Sequence, residues 1–219
     1  MKLSQGSFSW ALLEQMPIVG IVRNIAPESV FSIVPGFLSA GLTTLEVTMN
    51  TPGAAEMISQ LRHEYQGRLN VGAGTVRNLY DLELAIQAGA TFIVTPIIDE
   101  QVVKECVRSD VPVFPGAYTP TEIYRAWSWG ASVVKVFPAT ALGAGYFKDV
   151  LAPLNEIKLM PTGGVSLDTL PGFFHAGATA YGIGSPLFDK TLIDRKDWTG
   201  LQAHFEKFSA LIAKLRRGE

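Results

Sequence analysis

Eight short apolar runs rich in β-branched and aromatic residues recur along the 219-residue chain, and a helical pattern separates each run from the next. Strands that alternate with helices in this way pair in parallel, because each helix carries the chain back to the starting edge of the sheet. The runs cover residues 18–23, 44–49, 70–76, 92–97, 111–117, 133–137, 159–163 and 180–184. The repeat therefore predicts eight βα units.

Glycine marks the joins between helices and the strands that follow them. Gly41, Gly89, Gly130 and Gly177 each stand two or three residues before a predicted strand. A glycine at this position commonly ends a helix in the left-handed conformation, which costs a residue without a Cβ very little. These four joins indicate that the repeat is structural.

Proline marks the opposite ends of several units. Pro27, Pro52 and Pro120 stand where helices are expected to begin, and proline is well tolerated at a first helical position. Thr119 and Glu122 around the last of them form a capping-box pattern. Strand, loop, capped helix and glycine together describe one βα unit.

Eight such units with near-continuous apolar strands predict a parallel (β/α)8 TIM barrel, since eight evenly spaced strands favour closure. A short helix at 8–15 is expected to precede the barrel, and a long helix at about 198–216 to follow it. An open doubly wound sheet is the alternative. The sequence has no linker or composition shift, so we expect a single domain over residues 1–219.

Composition narrows the function classes. The chain is 47% hydrophobic with a net charge of −2 from interspersed signs, which predicts no nucleic-acid or membrane partner. Residues 1–6 lack the apolar stretch of a signal peptide, and no run reaches transmembrane length. The single cysteine, Cys106, fits a reducing compartment and a small buried hydrophobe. These features predict a cytoplasmic protein.

No metal site or cofactor is expected from the sequence. His63, His175 and His204 lie in separate helical contexts without ligand spacing. The Gly-Ala-Gly segment of the third predicted strand has Arg77 where a dinucleotide fingerprint needs its third glycine. We therefore predict no metal, and NAD binding is poorly supported.

Lys135 stands alone among apolar neighbours in the sixth predicted strand. One interpretation is a snorkelling lysine, whose stem is buried and whose ammonium reaches water. The other is a buried lysine, whose pKa is lowered because burial disfavours the charged form. Such a neutral amine is a nucleophile.

Strand parity places other polar residues on the same side as Lys135. In a barrel, alternate residues point inward and functional groups lie at the carboxyl ends of strands. Glu46, Thr48 and Asn50 share the inward face of the second strand, and Arg23 ends the first. A structural ion pair would explain such charges, but their spread over three strand ends favours catalysis.

Two glycine-rich turns suggest a second part of the site. Gly163 with Gly164 follows the seventh strand, and Gly184 with Ser185 follows the eighth. Loops after these two strands often bind phosphate through bare backbone N–H groups at helix N-termini. The two turns together therefore predict a phosphate site.

Motifs from six strands resemble the 2-keto-3-deoxy-6-phosphogluconate and 4-hydroxy-2-oxoglutarate aldolases, which are class I pyruvate aldolases. The similarity runs from about residue 17 to 188 in the family order. The motifs are Leu45-Glu46-Val47-Thr48, Gly72-Ala73-Gly74-Thr75-Val76, Val94-Thr95-Pro96, Pro115-Gly116-Ala117, Lys135-Val136-Phe137-Pro138-Ala139 and Pro161-Thr162-Gly163-Gly164-Val165.

The resemblance implies roles for particular residues and an assembly. It implies a Schiff-base lysine at Lys135 and a general acid/base at Glu46, with no cofactor. It implies phosphate binding at the two glycine turns and a homotrimer. The implied pyruvate pocket contains Thr75, Pro96, Phe137 and Thr162, with Arg23 available for a carboxylate.

One departure bears on the substrate. Asn50 stands where the gluconate-type pattern has arginine, and Asn50 followed by Pro52 is similar to the galactonate-type aldolases. Cleavage of 2-keto-3-deoxy-6-phosphogluconate, with possible use of 4-hydroxy-2-oxoglutarate, is the main hypothesis, and cleavage of the phosphogalactonate epimer is the alternative. More distant alternatives are a phosphosugar isomerase or epimerase and a non-catalytic sugar-phosphate binding protein.

Overall fold

A computed structural model describes residues 8–219, and in it eight parallel strands form a barrel surrounded by helices, as the repeat predicts. The strands are β1 (Ile18–Val22), β2 (Thr44–Thr48), β3 (Asn70–Gly74), β4 (Ile93–Val94), β5 (Val113–Phe114 and Gly116–Ala117), β6 (Val134–Val136), β7 (Leu159–Pro161) and β8 (Tyr181–Ile183). All eight are shorter than the predicted runs: seven end earlier than predicted, and β4, β5, β6 and β8 begin later.

The strands pair as a closed ring. One ladder runs in the order β5, β4, β3, β2, β1, β8, and a second joins β5, β6 and β7. Pro115 divides β5 between the two ladders, and its carbonyl accepts from the Lys135 N–H at 2.9 Å. A parallel bridge between Thr162 and Gly182 joins β7 to β8. The open-sheet alternative is therefore wrong.

Helices follow each strand on the outside of the barrel, and the short α1 precedes it. They are α1 (Trp10–Gln15), α2 (Pro27–Ser39), α3 (Ala54–Glu64), α4 (Leu79–Gln87), α5 (Glu100–Arg108), α6 (Pro120–Ser128), α7 (Gly143–Leu151), α8 (Leu170–His175), α9 (Lys190–Asp194) and α10 (Trp198–Arg216), with a 3-10 turn at Ala139–Ala141.

The predicted helix ends are mostly confirmed. Gly41, Gly89, Gly130 and Gly177 all have φ between 81° and 97°, the left-handed conformation expected of these caps. Pro27 begins α2, and the Thr119–Glu122 capping box is formed.

Two expectations about helix starts are wrong. Pro52 lies in a turn and not at the start of α3, because left-handed Gly53 caps that helix. The first helix begins at Trp10 and not at residue 8, because the Ser9 side chain caps it by accepting from Leu12 N–H. Phe8 is thereby left outside α1.

Phe8 fills the end of the barrel at which the strands begin, opposite to the carboxyl ends of the strands. Its ring packs edge-on against Phe92 and Phe114, with ring centroids 5.3 and 6.1 Å apart. These rings form an interior cluster with Val133. Val134, in contrast, packs in the outer layer between strands and helices, so the predicted parity of β6 is confirmed.

Replacing Phe8 with alanine is expected to destabilise the barrel by about 3 kcal/mol, because a nearly buried ring is removed from a close-packed cluster. Urea unfolding of wild type and variant measures the loss. Activity per folded molecule should not change, since Phe8 and the strand carboxyl ends lie at opposite ends of the barrel. A large fall in kcat of the folded variant would contradict this separation.

Cys106 is a buried thiol of α5, and burial raises its pKa to about 12. This agrees with the prediction of a small hydrophobe. Within residues 8–219, no helix is long and apolar enough to cross a membrane. In the same residues, no cluster of three His, Cys, Asp or Glu side chains is placed to hold a metal ion. The prediction about residues 1–6 lies outside the described residues.

Candidate active site

Lys135 lies in the middle of β6 with its side chain inside the barrel, and only 3% of the residue is exposed. Its Nζ lies 5.0 Å from the centre of the Phe137 ring. The snorkelling interpretation is therefore wrong. Burial lowers the pKa of Lys135, and the positive charge of Arg23 lowers it further, although the Glu46 carboxylate raises it in part. The amine is thus biased toward its neutral, nucleophilic form.

Glu46 enters the interior from β2 and is 1% exposed. Both carboxyl oxygens are buried, and neither has a hydrogen-bond partner among the residues that the structure describes. Burial raises the pKa of Glu46, while Lys135 and then Arg23 lower it in part. A raised pKa suits a group that must both accept and release a proton.

Glu46 and Lys135 form no ion pair within residues 8–219. The charge of each group nevertheless shifts the pKa of the other. A direct contact would stabilise the charged forms of both groups. Without that contact, burial remains the main influence on both groups and lowers the pKa of Lys135 while it raises that of Glu46.

Arg23 follows β1 at the barrel mouth and is exposed. Its Nη2 donates a long hydrogen bond of 3.4 Å to Thr75 Oγ1. Thr75 has φ of 57°, a rare conformation for a β-branched residue that costs of order 1–3 kcal/mol. The flanking N–H of Val76 donates to the Val94 carbonyl at 3.2 Å, which helps to hold the strained segment. In this conformation the Thr75 hydroxyl lies within hydrogen-bonding reach of Arg23.

Two threonine hydroxyl groups hold the loop after Arg23 against the turn that follows β2. The sequence does not indicate that these two hydroxyl groups act together. The Asn24 N–H donates to Thr51 Oγ1 at 3.0 Å. Thr51 Oγ1 in turn lies 2.9 Å from Thr48 Oγ1. Both threonines are buried, so this link fixes the start of the loop that follows Arg23. Nothing in the spacing of Thr48 and Thr51 alone distinguishes such a link from ordinary turn chemistry.

Pro96 and Phe137 line one cavity of about 210 Å³ at the mouth, together with backbone and side chains that follow β4 and β5. Because Phe137 also contacts the Lys135 amine, this cavity lies next to the nucleophile. A larger open groove between α2 and α3, near His63, lies outside the barrel, and its polar lining residues are all exposed. The smaller cavity, unlike the groove, shares the Phe137 ring with the surroundings of the Lys135 amine.

Thr162 follows β7 and is 4% exposed, and its Oγ1 has no hydrogen-bond partner in the described part of the chain. The hydroxyl lies over Gly182 of β8, where an added Cβ would collide with the oxygen. Thr162 and Glu46 thus contribute all three buried oxygens of this kind among the described residues. An unpartnered buried hydroxyl at a barrel mouth suits a polar ligand group.

The predicted phosphate loops keep their backbone N–H groups available. Gly163 and Gly164 have φ of 87° and 74°, and neither their N–H groups nor that of Ser185 donates a hydrogen bond within residues 8–219. Gly184 accepts from the two N–H groups that close the following turn.

Neither loop opens a helix directly, so its N–H groups do not lie at a helix N-terminus as the phosphate prediction supposes. Helix α8 begins at Leu170 and α9 at Lys190, and turns that contain Ser166 and Ser185 intervene. Hydrogen bonds between residues of the same turn satisfy some of the backbone polar groups there. The free N–H groups therefore belong to the turns themselves.

Asn50 lies in the turn after β2, and its side chain is exposed without a hydrogen bond to any described residue. Its position on the rim allows contact with a part of a ligand that extends out of the pocket.

A (β/α)8 barrel whose interior holds a buried amine of lowered pKa and a buried carboxyl group without a hydrogen-bond partner among the described residues suits an enzyme that forms an imine with a carbonyl substrate. The family model for KDPG and KHG aldolases matches residues 10–204, and the chain belongs to this family. It is therefore an aldolase, as the resemblance implies.

Relatives with two different substrates are similar to the chain. The 2-dehydro-3-deoxy-phosphogluconate aldolase of Treponema pallidum is 37% identical over 72% of this chain and 75% of that protein. The 2-dehydro-3-deoxy-6-phosphogalactonate aldolase of Escherichia coli is 31% identical over 80% of this chain and 85% of that protein. A solved structure described as native KDPGal superposes with a TM-score of 0.85 at 28% identity, over 92% of this chain and 97% of the other.

Proposed function

We propose that the protein is a class I aldolase that cleaves 2-keto-3-deoxy-6-phosphogluconate to pyruvate and glyceraldehyde 3-phosphate. The observation that carries the proposal is the pair formed by Lys135, buried with a lowered pKa, and Glu46, buried with a raised pKa. A neutral nucleophile and a proton carrier in one pocket are the two groups that imine chemistry needs.

The reaction begins when Lys135 Nζ attacks the C2 ketone of the substrate. Loss of the former carbonyl oxygen as water gives an iminium ion, which withdraws electrons from C3. Glu46 then takes the proton of the C4 hydroxyl, and the electron pair of the C3–C4 bond moves to form the C2–C3 double bond of an enamine. Glyceraldehyde 3-phosphate leaves at this step.

The same carboxyl group completes the cycle. Glu46, now protonated, returns its proton to C3 of the enamine, and water hydrolyses the resulting pyruvyl imine to release pyruvate and the free amine. Acid/base catalysis of this kind contributes typically about 10²–10⁴-fold. Arg23 and Thr75 would bind the substrate carboxylate, and Pro96, Phe137 and Thr162 would line the pyruvate pocket.

Ser185→Asp is expected to raise the KM for a phosphorylated substrate roughly 10-fold or more. The new carboxylate would repel a phosphate bound by Ser185 and the N–H groups of Gly163 and Gly164, and hydrogen bonds to charged groups are worth about 1.5–3 kcal/mol. The KM for 4-hydroxy-2-oxoglutarate, which has no phosphate, should change little. Equal effects on both substrates would contradict a phosphate site in these loops.

The phosphogalactonate epimer is the second candidate substrate, and exposed Asn50 is the observation that favours it. The two epimers differ at C4, one of the two carbons of the bond that breaks, so rim contacts beyond Glu46 could distinguish them. Rates on both epimers and on 4-hydroxy-2-oxoglutarate, measured side by side, test the assignment. Faster release of pyruvate from the galactonate epimer would replace the gluconate assignment, and isomerised sugar without pyruvate would contradict the aldolase proposal.

A homotrimer is the proposed assembly. Among the described residues, most large apolar side chains that are exposed lie after β3, β4 and β5 or in the first two turns of the following helices. They are Leu79, Tyr80, Ile97, Tyr118 and Tyr124. An exposed apolar surface of this kind is typical of an interface. The proposal also includes cytoplasmic location, no cofactor, and one domain over residues 1–219.

A further inference from the structure

Gly74, at the end of β3, lies directly against the carboxyl group of Glu46. A Cβ built on Gly74 would come within 2.5 Å of Glu46 Oε1 and 2.7 Å of its carboxyl carbon. Contacts below 3.0 Å require one of the two groups to move. The carboxyl group therefore occupies space that exists only because residue 74 has no side chain.

The backbone does not explain this glycine. Gly74 has no positive φ, and it pairs in regular parallel register with Thr48. An alanine would adopt the same conformation without strain, and a glycine inside a strand is usually a cost to stability. The requirement for glycine thus comes from the Glu46 side chain.

We infer that Gly74 is a positioning residue for catalysis. Because Gly74 has no side chain, the Glu46 carboxyl group lies directly against its backbone, and this keeps the carboxyl group near Lys135 but out of ion-pair contact with it. The inference rests on the proposed function. The carboxyl group has no hydrogen bond to any described residue, so packing against β3 is what defines its place. Misplacement of a catalytic group by about 1 Å can cost about 10²-fold in rate.

The step that depends most on this position is proton transfer at C3. In the pyruvyl imine, Glu46 takes a proton from the methyl carbon, the C–H electron pair forms the C2–C3 double bond, and the iminium π pair returns to Lys135 Nζ. The reverse step from a carboxyl group that has exchanged with D₂O places deuterium on pyruvate. Loss of the methyl proton signal thus measures Glu46 separately from imine formation.

The test compares Gly74→Ala with wild type in D₂O. We expect the methyl exchange of pyruvate and the kcat for cleavage to fall roughly 10- to 100-fold, while borohydride still traps the pyruvyl imine on Lys135. Gly145→Ala is the matched control, because a Cβ there meets nothing within 4 Å, and it should exchange at the wild-type rate. Normal exchange in folded Gly74→Ala would overturn the inference.

The double variant Gly74→Ala, Glu46→Asp keeps the test decisive if Gly74→Ala does not fold. The aspartate is one methylene shorter and returns the space that the new methyl group takes. A folded double variant supports the inference. So does a smaller loss of activity on Glu46→Asp when residue 74 is alanine than when it is glycine. A double variant as disrupted as Gly74→Ala alone overturns it. Failure of wild type to form any imine would instead contradict the proposed function.

Discussion

Lys135→Met is expected to reduce turnover by at least about 10⁴-fold, because the variant has no nucleophile to form the imine. Methionine fills a similar volume inside the barrel without a polar group. The variant should therefore fold, and its circular dichroism and elution volume should match those of wild type. Measured kcat of the pure protein on the preferred substrate tests the expectation.

The same substitution has a second expected effect, on the pH dependence of stability. Because the pKa of Lys135 is lowered in the folded protein, the unfolded chain binds more protons at pH values just below the ordinary value of 10.5. The free energy of unfolding of wild type should gain a component that rises with pH up to about 10.5, and Lys135→Met should lack it. An identical slope in both proteins would contradict burial of an ionisable amine.

Lys207→Met is the control for both measurements, since Lys207 is exposed on α10. It should retain wild-type turnover and wild-type pH dependence. Substantial cleavage by folded Lys135→Met, with the control unchanged, would contradict the imine mechanism.

Glu46→Gln is expected to reduce kcat by about 10²–10⁴-fold, the usual contribution of a positioned acid/base. The amide retains the shape of the carboxyl group and neither accepts nor releases the proton. Pyruvate should still be trapped on Lys135 by borohydride, while deuterium exchange of its methyl group should be lost. Activity near that of wild type would assign the proton transfer to another group.

The pH dependence of trapping gives this variant a second measurement. The Glu46 carboxylate raises the pKa of Lys135, so its removal should lower that pKa further. The midpoint of the trapping rate should consequently shift to lower pH in Glu46→Gln. Glu56→Gln, an exposed substitution on α3, should leave the midpoint unchanged.

Much of the fold could be predicted because local signals agree with it. The glycine at each helix end, for example Gly41, is required by a left-handed backbone that the sequence pattern indicates directly. Alternation in a strand is equally direct, so Lys135 and Glu46 could be placed inside the barrel from parity alone. The chemistry of these two groups follows from their type and their burial.

The parts that could not be predicted depend on distances between strands. Gly74 reads as an ordinary glycine of a strand, and only the side-by-side placement of β2 and β3 shows that it makes room for Glu46. The positive φ of Thr75 could likewise not be predicted from the sequence, because a threonine after a strand does not indicate a left-handed conformation. The predicted helix start at Pro52 is wrong, and the glycine turns do not lie at helix N-termini, because proline, glycine and serine also occur in tight turns.

The central claim is that Lys135 forms an imine with pyruvate, and trapping measures it directly. The protein is incubated with pyruvate, reduced with borohydride, and its mass determined, followed by peptide mapping. We predict one reduced pyruvyl adduct per chain, located on Lys135 and absent from Lys135→Met. An unmodified protein, or an adduct on another lysine, would contradict the account.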